Sequence, residues 1–159
     1  MDDAEGARNA LRRATSLFEQ AGTPHVVYAE LEMARVDLME RKWDRAWERC
    51  SEVLEQIGAQ RHAVLLVHTH SVLAGAAAGA GRWNELQLNL ERARDVLARV
   101  EVLEPDLAWT LERTGDLAMS AGQRSPARKA WKLALGLYRA MGSDRMDPLQ
   151  RKLEAARGS

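Results

Sequence analysis

The chain has 159 residues, 46% of them hydrophobic and 29% charged, which is the size and balance of one ordinary globular domain. Its 23 Lys+Arg match 23 Asp+Glu, which excludes the basic excess of a nucleic-acid binder and gives no electrostatic reason to sit on an anionic membrane. A single cysteine, Cys50, excludes an internal disulfide framework and a Cys-rich metal site.

Ala and Leu dominate, whereas Ile57 and Phe18 are the sole residues of their kinds. Strands favour β-branched and aromatic side chains, so the bias points to an all-α fold. The opening, with Asp2, Asp3 and Glu5 and no apolar run, is not that of a secretory signal. Eight helices are predicted, over 3–21, 24–40, 43–57, 60–80, 82–100, 105–121, 125–141 and 147–157. Thr23-Pro24, Ser125-Pro126 and Asp147-Pro148 each read as an N-cap followed by proline at the first helical position, and Glu104-Pro105 opens another helix. Gly22, Gly58, Gly122 and Gly142 fall where helices should stop. The stretch Ala63–Gly81 carries no formal charge, but its Ala/Gly-rich second half falls short of the roughly 20 strongly apolar residues of a membrane span. It is expected to be a buried helix. Short connections predict that consecutive helices are antiparallel neighbours. The setting expected is a reducing cytoplasm.

A two-helix unit recurs about every 40 residues. Trp43, Trp83 and Arg124 each start a helix after a turn, followed in register by Ala46, Leu86 and Ala127, by Cys50, Leu90 and Trp131, and by Val53, Ala93 and Ala134. Met33-Ala34, Leu73-Ala74 and Thr114-Gly115 align in the preceding helices, and Ala7, Leu11 and Ala14 match the second half of a unit.

These residues resemble the tetratricopeptide (TPR) family of helix–turn–helix repeats. Ala34, Ala74 and Gly115 stand at its small first-helix position. Gly81-Arg82-Trp83 fits its turn, Gly122-Gln123-Arg124 fits except for the aromatic, and Arg41-Lys42-Trp43 lacks the glycine. Ala127, Trp131 and Ala134 satisfy its small–bulky–small second helix, from which Leu86 and Val53 depart. The period exceeds the usual ~34 residues, so the resemblance is to long-helix variants. It implies a right-handed superhelix in one domain, 1–159: a half repeat 1–22, repeats 24–58, 60–100 and 105–142, and a capping helix 147–157. The lone opening helix suggests a segment of a longer protein or an unusually capped adaptor.

The sequence holds no catalytic constellation. Gly75-Ala-Ala-Ala-Gly79-Ala-Gly81 lacks the strand and the Lys-Ser/Thr of a phosphate loop and reads as close helix packing. His68 and His70 point roughly 200° apart on a helix, and His25 and His62 add no metal-ligand spacing. Cys50 reads as an inert core thiol. Trp43, Trp83 and Trp131 read as structural, with Trp47 stacked under Trp43, whereas Trp109 is expected on the open side of the array. No metal or cofactor is expected.

The resemblance implies a partner peptide or helix in the concave groove formed by the first helices. Carried over by register, its wall is Tyr28, Leu31, Glu32 and Arg35, then His68, Ser71, Val72 and Gly75, then Trp109, Glu112, Arg113 and Asp116. The small, uncharged middle set predicts a shallow apolar depression rimmed by mixed charge. The Lys/Asn clamp of chaperone-binding TPRs is missing. The function expected is a non-catalytic protein-interaction module in a larger bacterial signalling or regulatory protein, with no nucleic-acid or membrane partner. A domain sensing a small molecule or peptide is the alternative, and exposed array ends make self-association an expectation too.

Overall fold

The computed structural model describes residues 5–6, 8–13, 26–57 and 62–156, all helical or in short connections. The helices are α1 (helical residues 5–6 and 8–13), α2 (Val26–Met39), α3 (Trp43–Ile57), α4 (Ala63–Gly79), α5 (Trp83–Leu97), α6 (Pro105–Ser120), α7 (Arg124–Met141) and α8 (Met146–Ala155). Ala7, Ala14, Gly22, the Thr23-Pro24 cap, His25 and Gly58 lie outside the described residues. Among those described, no helix is long and apolar enough to cross a membrane.

Two predicted caps are displaced. α7 starts at Arg124 with Gln123 as N-cap, and α8 at Met146 with Arg145 as N-cap, so Ser125 and Asp147 lie inside the first turn. Pro126 and Pro148 each take the third helical position, where the missing N–H has no intrahelical acceptor to lose. Pro105 is at the predicted first position of α6.

One backbone closure recurs. The N–H of Lys42, Arg82 and Gln123 donates to the carbonyl of Asp37, Ala77 and Ala118, at 2.9, 2.8 and 2.9 Å. One residue earlier, Arg41, Gly81 and Gly122 donate to Leu38, Ala78 and Met119, and all three have positive φ, 62°, 72° and 75°. This paired closure ends α2, α4 and α6 alike and leads directly into α3, α5 and α7. Arg41 adopts here a left-handed conformation that glycine takes freely.

α2, α4 and α6 lie side by side in one layer. The second layer holds α3 against α2 and α4, α5 against α4, and α7 against α6, with α7 also touching α5; α8 closes the array on α7. α4 is the keystone. Its residues from Val67 through Ala78 are all buried, and they divide between two cores. Leu65, Val72, Leu73 and Ala76 join Leu31, Leu38, Cys50 and Val53. Val67, Ala74, Ala77 and Ala78 join Leu86, Leu90, Leu111, Trp131 and Tyr138. Small residues permit the approach: a Cβ on Gly79 would lie 2.3 Å from the Trp43 ring, and one on Gly115 2.3 Å from that of Trp131.

The hairpin junctions differ. α3 packs along α4, but α5 does not run along α6, which is held instead by α4 and α7. The expectation that every consecutive pair is an antiparallel neighbour fails there. The connection 98–104 buries Val102 in the core and carries the chain across before Pro105 starts α6.

Candidate functional site

The predicted groove wall divides into three parts. The middle one is closed. His68, Ser71, Val72 and Gly75 of α4 are all buried. A Cβ on Gly75 would meet Leu38 at 3.0 Å and Thr114 at 3.1 Å, so α2 and α6 already press on it from both sides. Ser71 is satisfied within its own helix, donating to the Val67 carbonyl at 2.7 Å. The depression expected over α4 is therefore filled by its neighbours, and Leu31 is likewise core at 2% exposure.

The third part is occupied from within the chain. Glu112, 5% exposed, accepts from Tyr138 Oη at 2.9 Å, Arg145 Nη2 at 2.9 Å and Lys152 Nζ at 3.0 Å. Lys152 also bridges to Asp116 at 2.9 Å, and Trp131 Nε1 donates to Asp116 at 3.0 Å and to the Glu112 carbonyl at 3.2 Å. Burial pushes the Glu112 carboxyl up, but Lys152, Arg145 and Tyr138 outweigh it and hold the group below the usual carboxylate range. Tyr138 is pushed up to about 12 by burial and by the bond to Glu112. Glu112 and Asp116 thus seat the capping helix and its preceding turn, and their place on an open wall is corrected accordingly. Glu112, buried, needs a cation close by, and α8 brings Lys152 to it.

What stays open is a cleft of about 330 Å³ between α2 and α6, lined by Glu32, Arg35, Val36, Met39, Asp106 and Trp109. Glu32, Arg35 and Trp109 come from the predicted wall; Val36, Met39 and Asp106 do not. Tyr28, 47% exposed, stands one helical turn before Glu32, and Met39 is 48% exposed. On the far side the Arg113 guanidinium lies 5.5 Å from the centre of the half-buried Trp109 ring, a cation–π contact that holds the indole at the rim.

Arg35 ties the cleft together from a buried position. Nη1 donates to Glu32 at 3.1 Å and to Asp106 at 3.3 Å, spanning α2 and α6. Nη2 lies 2.7 Å from His68 Nδ1. A guanidinium only donates, so Nδ1 accepts and the imidazole proton sits on Nε2, 2.7 Å from the Glu104 carboxylate. Burial, reinforced by Arg35, pushes the His68 pKa below the usual imidazole range against the opposing pull of Glu104 and Asp106. Burial also raises Glu32, with Asp106 and Glu104 adding to the shift and Arg35 opposing it. Two carboxylates around one guanidinium, Glu32 and Asp106, give the cleft an acidic cast.

The remaining candidates have structural partners. His70 Nδ1 is 2.9 Å from Asn89 Oδ1 of α5. Cys50 is fully buried, and burial raises its thiol pKa far above the ordinary value. The Arg82 guanidinium lies over the Trp47 ring, at 5.4 Å from its centre. Among the described residues no group of three or more His, Cys, Asp or Glu is arranged to hold a metal ion. No protein-family model matches the chain, and no curated protein matches it.

Proposed function

We propose that this chain is a non-catalytic protein-interaction module, a TPR-like stack of helix hairpins within a larger signalling or regulatory protein, and that it seats a peptide or helix of its partner in the α2–α6 cleft. The observation behind this reading is the cleft's composition. Met39, Val36 and Trp109 offer apolar contact, while Glu32 and Asp106 stand beside it around the buried Arg35. An apolar side chain in the hollow and a neighbouring Lys or Arg against the two carboxylates would match it. The closure shared by residues 41, 81 and 122 supports the hairpin stack. The cleft lies between two helices and is open to solvent along its length, which suits a chain segment better than an enclosed small molecule.

Panning a random-peptide library on the protein tests the reading. Enriched sequences should pair a large apolar residue with a basic one, and should lose at least about tenfold in affinity, ~1.4 kcal/mol, on Met39→Glu or Trp109→Ala. Peptides that bind these folded variants as well as the wild type would remove the cleft from consideration. A metabolite that raises the thermal midpoint in proportion to its concentration would favour the sensing alternative.

A further inference from the structure

We propose that the trough between α5 and α7, on the layer opposite the α2–α6 cleft, is a second docking surface, and that its occupant is an amphipathic helix of a partner protein with an acidic edge. The inference is independent of what the cleft binds. Two adjoining hollows, of about 270 and 220 Å³, share Lys132 and Leu133. Their floor is aliphatic: Leu90 in one, Leu97, Val100 and Leu137 in the other, with Leu103 left 49% exposed at the mouth. From Leu90 to Val100 on one side and Lys129 to Ala140 on the other the trough runs roughly 15 Å, about three helical turns. A short helix can lay its i, i+3/i+4, i+7 side chains along that length.

The charge along the walls selects the occupant. On the α7 side the trough is lined by Lys129 and Lys132, and α7 carries no acidic residue, in a chain whose net charge is zero. Lys129 reaches Glu91 across the trough only at 3.9 Å, between side chains that are both about half exposed. Lys132 lines both hollows, is exposed, and has no ion pair among the described residues. The α5 wall is mixed, with Glu91, Arg94 and, in the following connection, Glu101. An incoming helix therefore gains from carboxylates along the edge that meets α7 and from neutral or mixed residues along the other.

The probe is a panel of labelled amphipathic peptides of about three to four turns, with Leu, Met or Phe on one face and Glu along one edge. Each is paired with a copy carrying Lys in place of Glu, and binding is read by fluorescence anisotropy on the full chain. The acidic members should bind, weaken with added salt, and, on the Met39→Glu protein whose α2–α6 cleft no longer takes basic peptides, bind at least about tenfold tighter than their basic copies. Exposed-site changes Lys132→Glu with Lys129→Glu should abolish that preference, and Leu103→Glu should weaken all members. Met39→Glu blocks the α2–α6 cleft to the basic copies and should leave the acidic members bound to the trough. Circular dichroism on each variant separates lost binding from lost fold. Absence of binding across the panel, equal binding of acidic and basic copies by the Met39→Glu protein, or retention of the acidic preference by the Lys129/Lys132 double variant overturns the proposal. So does a dimer of this chain that Lys132→Glu dissociates, because the trough would then belong to a second copy.

Discussion

Two helical glycines should respond oppositely to the same substitution. Glycine costs roughly 1 kcal/mol relative to alanine inside a helix, so a Gly→Ala change gains about that much where there is room. A Cβ placed on Gly136 in α7 would meet no atom within 4 Å, and Gly136→Ala should stabilise by about 0.5–1 kcal/mol. At Gly115 the same methyl would lie 2.3 Å from Trp131 Cδ1, 2.4 Å from Nε1 and 2.9 Å from Cγ. Ordinary carbon contacts need about 3.5–4.0 Å, so the indole must retreat by more than about an ångström. That retreat breaks the Nε1 bonds to Asp116 and to the Glu112 carbonyl, worth about 1–3 kcal/mol together. It also disturbs a ring only 4% exposed, for which overpacking costs about 1–3 kcal/mol. After the helix gain is subtracted, Gly115→Ala should destabilise by about 1–5 kcal/mol. Urea unfolding followed by far-UV circular dichroism and by tryptophan fluorescence measures both. If Gly115→Ala proves as stable as Gly136→Ala, the close α6–α7 approach is wrong.

Arg41→Gly should stabilise by about 0.5–1 kcal/mol in the same assay, because relief of a left-handed arginine exceeds the added entropy of glycine in the unfolded chain; a loss of stability would show that its conformation is not strained. His68 is buried with its pKa below the ordinary 6.5, so between that value and its lower folded value the unfolded chain binds more protons and stability falls as pH falls. His68→Gln should therefore lose less stability than the wild type between about pH 7 and 5, and parallel pH profiles would contradict the buried neutral imidazole. Cys50 should react with a thiol-specific disulfide reagent only as fast as the chain unfolds, given its burial and raised pKa; rapid labelling of the native protein would contradict its place in the core.

The turn chemistry was the most legible layer of the sequence. Trp43, Trp83 and Arg124 start helices because the residue pairs before them close the preceding helix in one way, and glycine marks two of those three closures. Gly115 and Trp131 were legible only as the small and the bulky positions of the unit, and the fold presses them together. The wall of the groove was less so. Register alone assigned His68, Ser71, Val72 and Gly75 to an open face, although a helix without a charged side of its own has no face suited to water. That charge-free stretch was the available signal, and α2 and α6 close over it. Glu112 and Asp116 were misplaced for a different reason: their partners, Arg145 and Lys152, lie 33 to 40 residues downstream, and no local period connects them. Met39 and Asp106 joined the cleft through the crossing of α2 and α6, a tertiary fact that spacing does not encode. The cap shifts at Ser125 and Asp147 follow from turns that feed straight into the helix and leave the polar side chain two positions past the N-cap.

The most direct test of the central claim is a titration of the isotopically labelled protein with a peptide selected on the wild type, followed by NMR of methyl and indole signals. The Met39 methyl, the Val36 methyls and the Trp109 indole N–H should shift together and saturate at one dissociation constant, while the α3 signals of Val53 and Ile57 stay in place. Shifts centred on α3 or on the α5–α7 trough, with Met39 and Trp109 unmoved, would show that the α2–α6 cleft is not where the partner binds.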